Sequence, residues 1–239
     1  MVSELVTKAK MKVYLMFKSL WKLGHIPYAV FVKILDCQIL PCVLHGAEIW
    51  GLKEVPEIER VHAFALKRYL NVASQTPNTM VYSETGRYPL FVTTAIKAVK
   101  YWLRVVMMSP ERHSRKAYNM LVSMDNSGKE TWATWIRTFL SSHGFSHVWL
   151  YQDMGDTGRF ICSLKGKIIQ LSVQNWQTNL HSGNRYDVYK SFKSVIMSET
   201  YLGVLEQKYV RDVYCRFRLG ISDLCHKNRY NEDDTFCPM

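Results

Sequence analysis

The sequence predicts an all-α protein built from many helices. Apolar residues recur every three or four positions along most of the chain, as one face of an α-helix requires. Alternating apolar and polar runs, which would indicate strands, are few and short. Prolines and glycines separate the periodic segments, where they start and stop helices.

The first part of the chain predicts four helices. Residues 4–23 carry the first apolar stripe, which Gly24 ends. A proline opens each of the next three, because its missing N–H is harmless at the first helical position. These prolines are Pro27, Pro41 and Pro56. The helix from Pro41 is expected to be short and apolar and to reach Trp50. The helix from Pro56 is expected to bury Ile58, Val61, Ala65 and Tyr69.

The middle of the chain predicts a long amphipathic helix and then a basic one. Pro89 starts the long helix, whose apolar face is Val92, Ile96, Val99, Leu103 and Val106. After Ser109-Pro110 the basic helix runs to about Met124. Residues 124–129 (MDNSGK) have the composition of a linker.

The rest of the chain predicts further helices that are rich in tryptophan and tyrosine. They are expected near 132–139, from about 146, across 158–178, around 186–195 and over 204–218.

Length, composition and charge favour a folded protein with an anionic partner. The 239 residues are 48% apolar, enough for one large core or two small ones. The formal net charge is +11, and the pI of about 9.3 favours an anionic partner, for which nucleic acid and a membrane surface are the usual candidates. We expect RNA or DNA as a weakly bound partner. The longest apolar stretch is too short for a membrane span of about 20 residues, so we expect no membrane association.

The six cysteines indicate an intracellular protein with reduced thiols. Their spacing is irregular, and the lysine-rich first 24 residues do not resemble a signal peptide. We therefore expect a nuclear or cytoplasmic location rather than secretion.

No constellation in the sequence predicts catalysis. Polymerases hold two metal ions on paired carboxylates, whereas the only adjacent aspartates, Asp233-Asp234, lie in a polar terminus without strand signals. A nucleophile elbow and a phosphate-binding P-loop are also missing from the sequence. We expect no enzyme activity, no catalytic residue, no cofactor and no small-molecule substrate.

The candidate metal ligands have unsuitable spacing. Cys215, Cys225, His226 and Cys237 lack the short intervals that zinc sites use. His143 and His147 are four residues apart, but Gly144 between them indicates a helix break. We expect no metal site.

Three basic clusters are the candidate nucleic-acid-binding residues. Cationic side chains neutralise phosphates, and aromatic rings between them can stack on unpaired bases. The clusters are Lys97, Lys100 and Arg104; Arg112, Arg115 and Lys116; and Arg211, Arg216, Arg218, Lys227 and Arg229. The alternative is a helical structural or interaction protein with no nucleic-acid role, because any surface helix carries charged residues.

Several stretches together resemble one region of a known family. Residues 41–50 (PCVLHGAEIW) are similar to the pattern P-x-x-x-Tyr-Gly-x-Glu-x-Trp, with His45 where tyrosine is usual. Further matching stretches follow in order: Thr76-Pro77-Asn78, Lys100-Tyr101-Trp102, Val148-Trp149, Tyr189-x-x-Phe192-Lys193 and Arg216-Phe217-Arg218 to Arg229-Tyr230. The family is the LINE-type (non-LTR) retrotransposon reverse transcriptases, and the region is the one after the catalytic palm.

The resemblance implies a domain plan and a lineage. It implies a thumb-like helical bundle (1–75), a basic helical hairpin (76–124), a helical connector (130–218) and the truncated start of a Cys/His region (219–239). The family's thumb grips the template–primer duplex, and its palm supplies the aspartates of an RNA-directed DNA polymerase. The resemblance therefore implies a catalytically incomplete fragment, truncated before the Cys/His zinc knuckle.

Overall fold

The computed structural model describes residues 2–22, 24, 26–152, 155–182 and 187–221. These residues form helices and no strand, which confirms the all-α prediction. The helices are α1 (Val2–Trp21), α2 (Tyr28–Ile34), α3 (Leu40–Val43), α4 (Ala47–Trp50), α5 (Pro56–Leu70), α6 (Asn78–Thr85), α7 (Phe91–Val106), α8 (His113–Asn126), α9 (Trp132–Ser142), α10 (Ser146–Tyr151), α11 (Thr157–His181), α12 (Asp187–Phe192), α13 (Tyr201–Val204) and α14 (Lys208–Arg218). A π-helical segment, Leu35–Ile39, joins α2 to α3.

The chain divides into two compact units, each assembled from separate segments. The first unit comprises Met1–Val43, Arg60–Tyr88 and Gln174–Met239, and the second comprises Leu44–Glu59 and Pro89–Val173. The division into regions 1–75, 76–124, 130–218 and 219–239 stays a prediction. In the described residues, no helix is both long enough and apolar enough to cross a bilayer.

Helix α5 forms as its sequence predicts. Pro56 occupies its first position, and the stripe Ile58, Val61, Ala65 and Tyr69 is buried. Two glutamates lie in its first turn and two basic residues in its last, so both ends complement the helix dipole.

The helix predicted to begin at Pro41 does not begin there. Pro41 lies inside α3, at the end of a helical run that starts at Tyr28. Proline cannot donate a backbone hydrogen bond, and its ring crowds the carbonyl four residues earlier. The π-helical segment just before it has a wider turn, in which the N–H of Leu40 donates to the carbonyl of Leu35. The wider turn accommodates the proline, and the helical run continues to Val43. A turn that ends at Gly46, which has a positive φ, then precedes the separate helix α4.

The second unit is organised around α7. Val92, Ile96, Val99 and Leu103 are buried as predicted, and Val106 is half-buried. Trp102 of the same helix is fully buried, and its indole N–H donates to the hydroxyl of Tyr118 at 3.0 Å.

The residues predicted to form a linker, 124–129, lie inside the second unit, where Asp125 alone among them is buried and joins α8 to α9. Helix α8 continues to Asn126, and the carboxylate of Asp125 is buried. It accepts two hydrogen bonds from Arg137 of α9, each 2.9 Å long, and one from the hydroxyl of Thr134 at 2.8 Å. The hydrogen bond from Arg137 lowers the pKa of Asp125. Ser127 and Gly128 therefore form a turn, as their composition indicates. This turn lies within one compact unit and is not a linker between two units.

Helix α6 of the first unit was not predicted, and burial explains why. Its residues 80–85 are all buried, so the helix has no polar face and no helical periodicity in its hydrophobicity. Two of its polar residues, Ser83 and Glu84, are completely buried. The hydroxyl of Ser83 donates within its own helix, to the carbonyl of Thr79 at 2.8 Å, whereas the carboxylate of Glu84 finds its partners in other segments.

Glu84 is the centre of a buried polar network in the first unit. Its carboxylate accepts a hydrogen bond from Nε of Arg218 at 2.8 Å and one from the hydroxyl of Tyr189 at 2.9 Å. Arg218 also reaches Glu199, with 3.1 Å between Nη2 and Oε2. The network ties α6 to α12 and α14, because a buried charge without a partner would be very costly.

Helix α14 is oriented with its polar side inward. Arg211, Asp212, Cys215 and Arg218 are buried, whereas Tyr209, Val210, Val213 and Phe217 are exposed. The guanidinium of Arg211 donates to the hydroxyl of Tyr69 at 2.9 Å, and Asp212 accepts from Asn71 at 2.9 Å. The helix predicted over 204–218 is shorter than expected: α14 begins at Lys208, and the preceding helix α13 ends at Val204. Three of the charged residues of α14, Arg211, Asp212 and Arg218, are buried.

Replacing Arg218 with methionine should destabilise the first unit. The substitution keeps the side-chain volume but leaves the carboxylate of Glu84 buried without its ionic partner, which costs about 3–5 kcal/mol. Urea denaturation followed by circular dichroism measures the change. Lys8→Gln, which removes an exposed ion pair with Glu4, is the control and should leave the midpoint unchanged. Equal midpoints for Arg218→Met and the wild type would contradict the role given to this pair.

Cys215 should be unreactive in the native protein. Burial raises the pKa of its thiol to about 12, so the thiol remains protonated at pH 8 and the reactive thiolate is scarce. Cys37 and Cys162 are exposed and should react with iodoacetamide under the same conditions. Peptide mapping by mass spectrometry distinguishes the sites, and unfolding in urea should make Cys215 reactive. Modification of native Cys215 at the rate of Cys162 would contradict its burial.

Candidate nucleic-acid interface

The basic residues of α7 lie on one side of the helix. Lys100 and Arg104 are exposed and Lys97 is half-buried. Their spacings of three and four residues place them together, opposite the buried stripe of the same helix. Among the described residues, none of the three side chains forms an ion pair. Their charge is therefore available to an anionic ligand.

The basic residues of the next cluster are partly engaged within the second unit. Nη1 of Arg115 donates to the carbonyl of Val106 at 2.6 Å, and its guanidinium lies over the ring of Tyr118 at 5.4 Å. Lys116 forms an exposed ion pair with Glu111 at 3.0 Å. Arg112 is exposed. The cluster thus offers less uncompensated charge than α7.

Two of the three described residues of the third cluster are buried. Arg211 and Arg218 are buried, with their guanidinium groups bonded inside the first unit, so neither can reach a phosphate. Arg216 is exposed, and its Nε donates to the carbonyl of Asn71 at 3.2 Å. Lys227 and Arg229 lie outside the described residues. Of this predicted cluster, only Arg216 is placed at the surface.

The first unit contains a basic groove that the sequence did not predict. It lies between α1 and α5, near the start of α14, and has a volume of about 640 Å³. Five cationic residues line it: Lys10, Arg60, Lys67, Arg68 and Lys208. Two aromatic residues, Tyr14 and Phe64, complete it, and its described lining includes no aspartate or glutamate. We call this feature the α1–α5 groove.

The aromatic rings of the groove are held in place by their neighbours. The ring centroids of Tyr14 and Phe64 are 5.3 Å apart, and the guanidinium of Arg68 lies 5.3 Å from the centroid of Tyr14. Tyr14 nevertheless remains 52% exposed. Part of an oriented ring is therefore open to a ligand.

The cations of the groove differ in their surroundings. Lys10 is exposed. Lys67 donates from Nζ to the carbonyl of Ser74 at 2.8 Å, and burial lowers its pKa. Lys208 pairs with Asp212 at 3.0 Å. Lys10 and Lys67 are the two cations of the groove that these contacts leave most able to bind an anion.

Sequence reasoning missed the groove because its residues come from distant segments. In the sequence, Lys10 is one of several N-terminal lysines. Lys67 and Arg68 lie in the last turn of α5, where their charges complement the helix dipole. A signal was present in α1, where Lys10 and Tyr14 are four residues apart and share a helical face. From the sequence alone, this face of α1 is indistinguishable from an ordinary solvated helix face, because only the tertiary structure brings α5 beside it.

The described residues contain no group of three or more His, Cys, Asp or Glu side chains placed to hold a metal ion. Cys225, His226, Cys237 and Asp233-Asp234 lie outside those residues. His143 makes a hydrogen bond through Nδ1 with the carbonyl of Phe139 at 2.8 Å, a contact within α9 and its cap.

No protein-family model matches this chain, and no curated protein or solved structure matches it either.

Proposed function

We propose that this chain binds RNA or DNA without sequence preference through basic helical faces. The observation that carries the proposal is the face of α7 formed by Lys97, Lys100 and Arg104, which has no ion-pair partner among the described residues. Such a face can neutralise consecutive phosphates and release their counterions. The net charge of +11 supports the same class of partner.

We also propose a lineage for the chain: the region after the palm in LINE-type reverse transcriptases, catalytically incomplete and intracellular, in the nucleus or cytoplasm. The ordered resemblance of its tryptophan, tyrosine and glycine positions supports this lineage. Sequencing the flanking genomic DNA tests it. An upstream reading frame with a polymerase aspartate pair is the expected result, and an unrelated upstream sequence would overturn the lineage without affecting the binding proposal.

Neutralising the α7 face should weaken nucleic-acid binding and its dependence on salt. Log affinity falls as log salt concentration rises. For a single strand, each lost phosphate contact makes that fall less steep by about 0.7. The variant Lys97→Gln/Lys100→Gln/Arg104→Gln should therefore lose about two units of slope. Fluorescence anisotropy with a labelled single-stranded RNA at several salt concentrations measures both quantities.

A matched variant controls for net charge. Arg159, Lys165 and Lys167 are exposed in the second unit, and changing all three to glutamine removes the same charge. This control should bind more tightly than the α7 variant. Equal losses in both variants, or wild-type binding that is indifferent to salt, would contradict the role of the α7 face.

The second candidate function is that of a helical interaction protein without a nucleic-acid role. The exposed apolar side of α14, with Tyr209, Val213 and Phe217, favours it, because large exposed apolar side chains in one row are unusual on a monomer surface. The same experiment separates the two candidates. Unchanged nucleic-acid binding by a folded α7 variant would favour the interaction protein.

A further inference from the structure

The α1–α5 groove combines two kinds of side chain that together fit a nucleotide. Lys10 and Lys67 can neutralise phosphate, and the ring of Tyr14 offers a flat apolar surface beside them. A volume of about 640 Å³ falls within the range of small-ligand sites, about 300–1,000 Å³. The described lining has no carboxylate that would repel an anion.

We propose that the α1–α5 groove holds an unpaired nucleotide of single-stranded RNA or DNA, with its base stacked on Tyr14 and its adjacent phosphates on Lys10 and Lys67. The inference rests on the proposed nucleic-acid binding and specifies its form. It assigns a site in the first unit, separate in sequence from the α7 face, and it selects single strands over duplexes.

The contacts and the exposure of the Tyr14 ring support the proposed stacking of a base on it. Phe64 and Arg68 fix the ring orientation from within the groove, while 52% of Tyr14 stays exposed. Its hydroxyl makes no hydrogen bond among the described residues. The ring, rather than the hydroxyl, is thus what Tyr14 presents to a ligand.

The positions of the two lysines support the phosphate contacts. Lys10 is four residues before Tyr14 on α1, so it lies on the same face of that helix. Lys67 approaches from α5 and uses one of its three donors on the carbonyl of Ser74. Two donors remain for a phosphate oxygen. The partial burial of this lysine makes a phosphate partner more favourable than it would be in open solvent.

The geometry discriminates against a duplex. In a double helix both faces of each internal base are covered by neighbouring bases, so no internal base can stack on Tyr14 without being unpaired first. Stacking on aromatic side chains is accordingly the mode by which proteins hold single strands, and it tolerates any base.

Tyr14→Ala tests the stacked base in the intact chain. The probes are a labelled single-stranded RNA of about 12 nucleotides, a DNA of the same sequence and a duplex of that DNA, followed by fluorescence anisotropy at low salt. We expect affinity for both single strands to fall about tenfold, because one stacking contact is lost. Duplex affinity should not change.

Three further variants separate stacking from other effects. Tyr14→Phe keeps the ring and should retain wild-type affinity. Tyr151→Ala removes a tyrosine outside the groove that is even more exposed, 77% against 52% for Tyr14, and should also bind normally. Lys10→Gln/Lys67→Gln should reduce the salt slope by about 1.4, the value for two phosphates of a single strand.

Crosslinking gives a result that does not depend on the folding of a variant. RNA containing 4-thiouridine, irradiated on the wild-type chain, should attach to the peptide that carries Tyr14 or to the one that carries Phe64. An adduct found only on other peptides would overturn the proposal.

The outcomes distinguish this proposal from the proposed function. Normal single-strand binding by a folded Tyr14→Ala variant overturns the groove site but leaves nucleic-acid binding intact if the α7 variant is impaired. Equal losses for single strands and duplex overturn the stacked base. If the wild-type chain binds none of the probes, both proposals fail.

Discussion

The ion pair between Glu84 and Arg218 is the constraint on which the first unit depends. Glu84 is completely buried in α6, and Arg218 lies 134 residues later at the end of α14, with 2.8 Å between their bonded atoms. A buried carboxylate without a partner would be very costly, so α14 must be packed against α6. Tyr189 and Glu199 complete the network and bring the intervening chain with them.

This constraint also determines which charges can contribute to function. With the polar side of α14 facing inward, Arg211 and Arg218 stabilise the fold and are withheld from any external phosphate. Its apolar side is left exposed, as for Tyr209 and Phe217. Basic residues that lie close together in the sequence therefore do not necessarily form a basic surface in the folded protein. Among the cations that face solvent, those of α7 and those of the α1–α5 groove are the two candidate binding surfaces. They differ in chemistry, because α7 offers charge alone and the groove offers charge beside an aromatic ring.

Local sequence patterns predicted the elements whose stability is local. The apolar repeat of α7 and the proline start of α5 both appear where the pattern placed them, because one helical face against the core is enough to specify each. Helix α6 was missed because burial on all sides removes that periodicity. The helix start predicted at Pro41 is wrong because the π-helical turn before it lets the helix continue through a proline, which cannot donate a backbone hydrogen bond.

The sequence by itself determined the helical class, most helix positions, the net positive charge and the basic face of α7. These follow from residues within a few turns of one another, where spacing is equivalent to geometry. Only the tertiary structure decided that Arg218 pairs with Glu84, that Asp125 is held by Arg137, and that Tyr14 and Lys67 line one groove. The physical reason is that each of these contacts joins different helices. A local sequence pattern does not show which distant side chain will pair with a buried charge or line the same cavity.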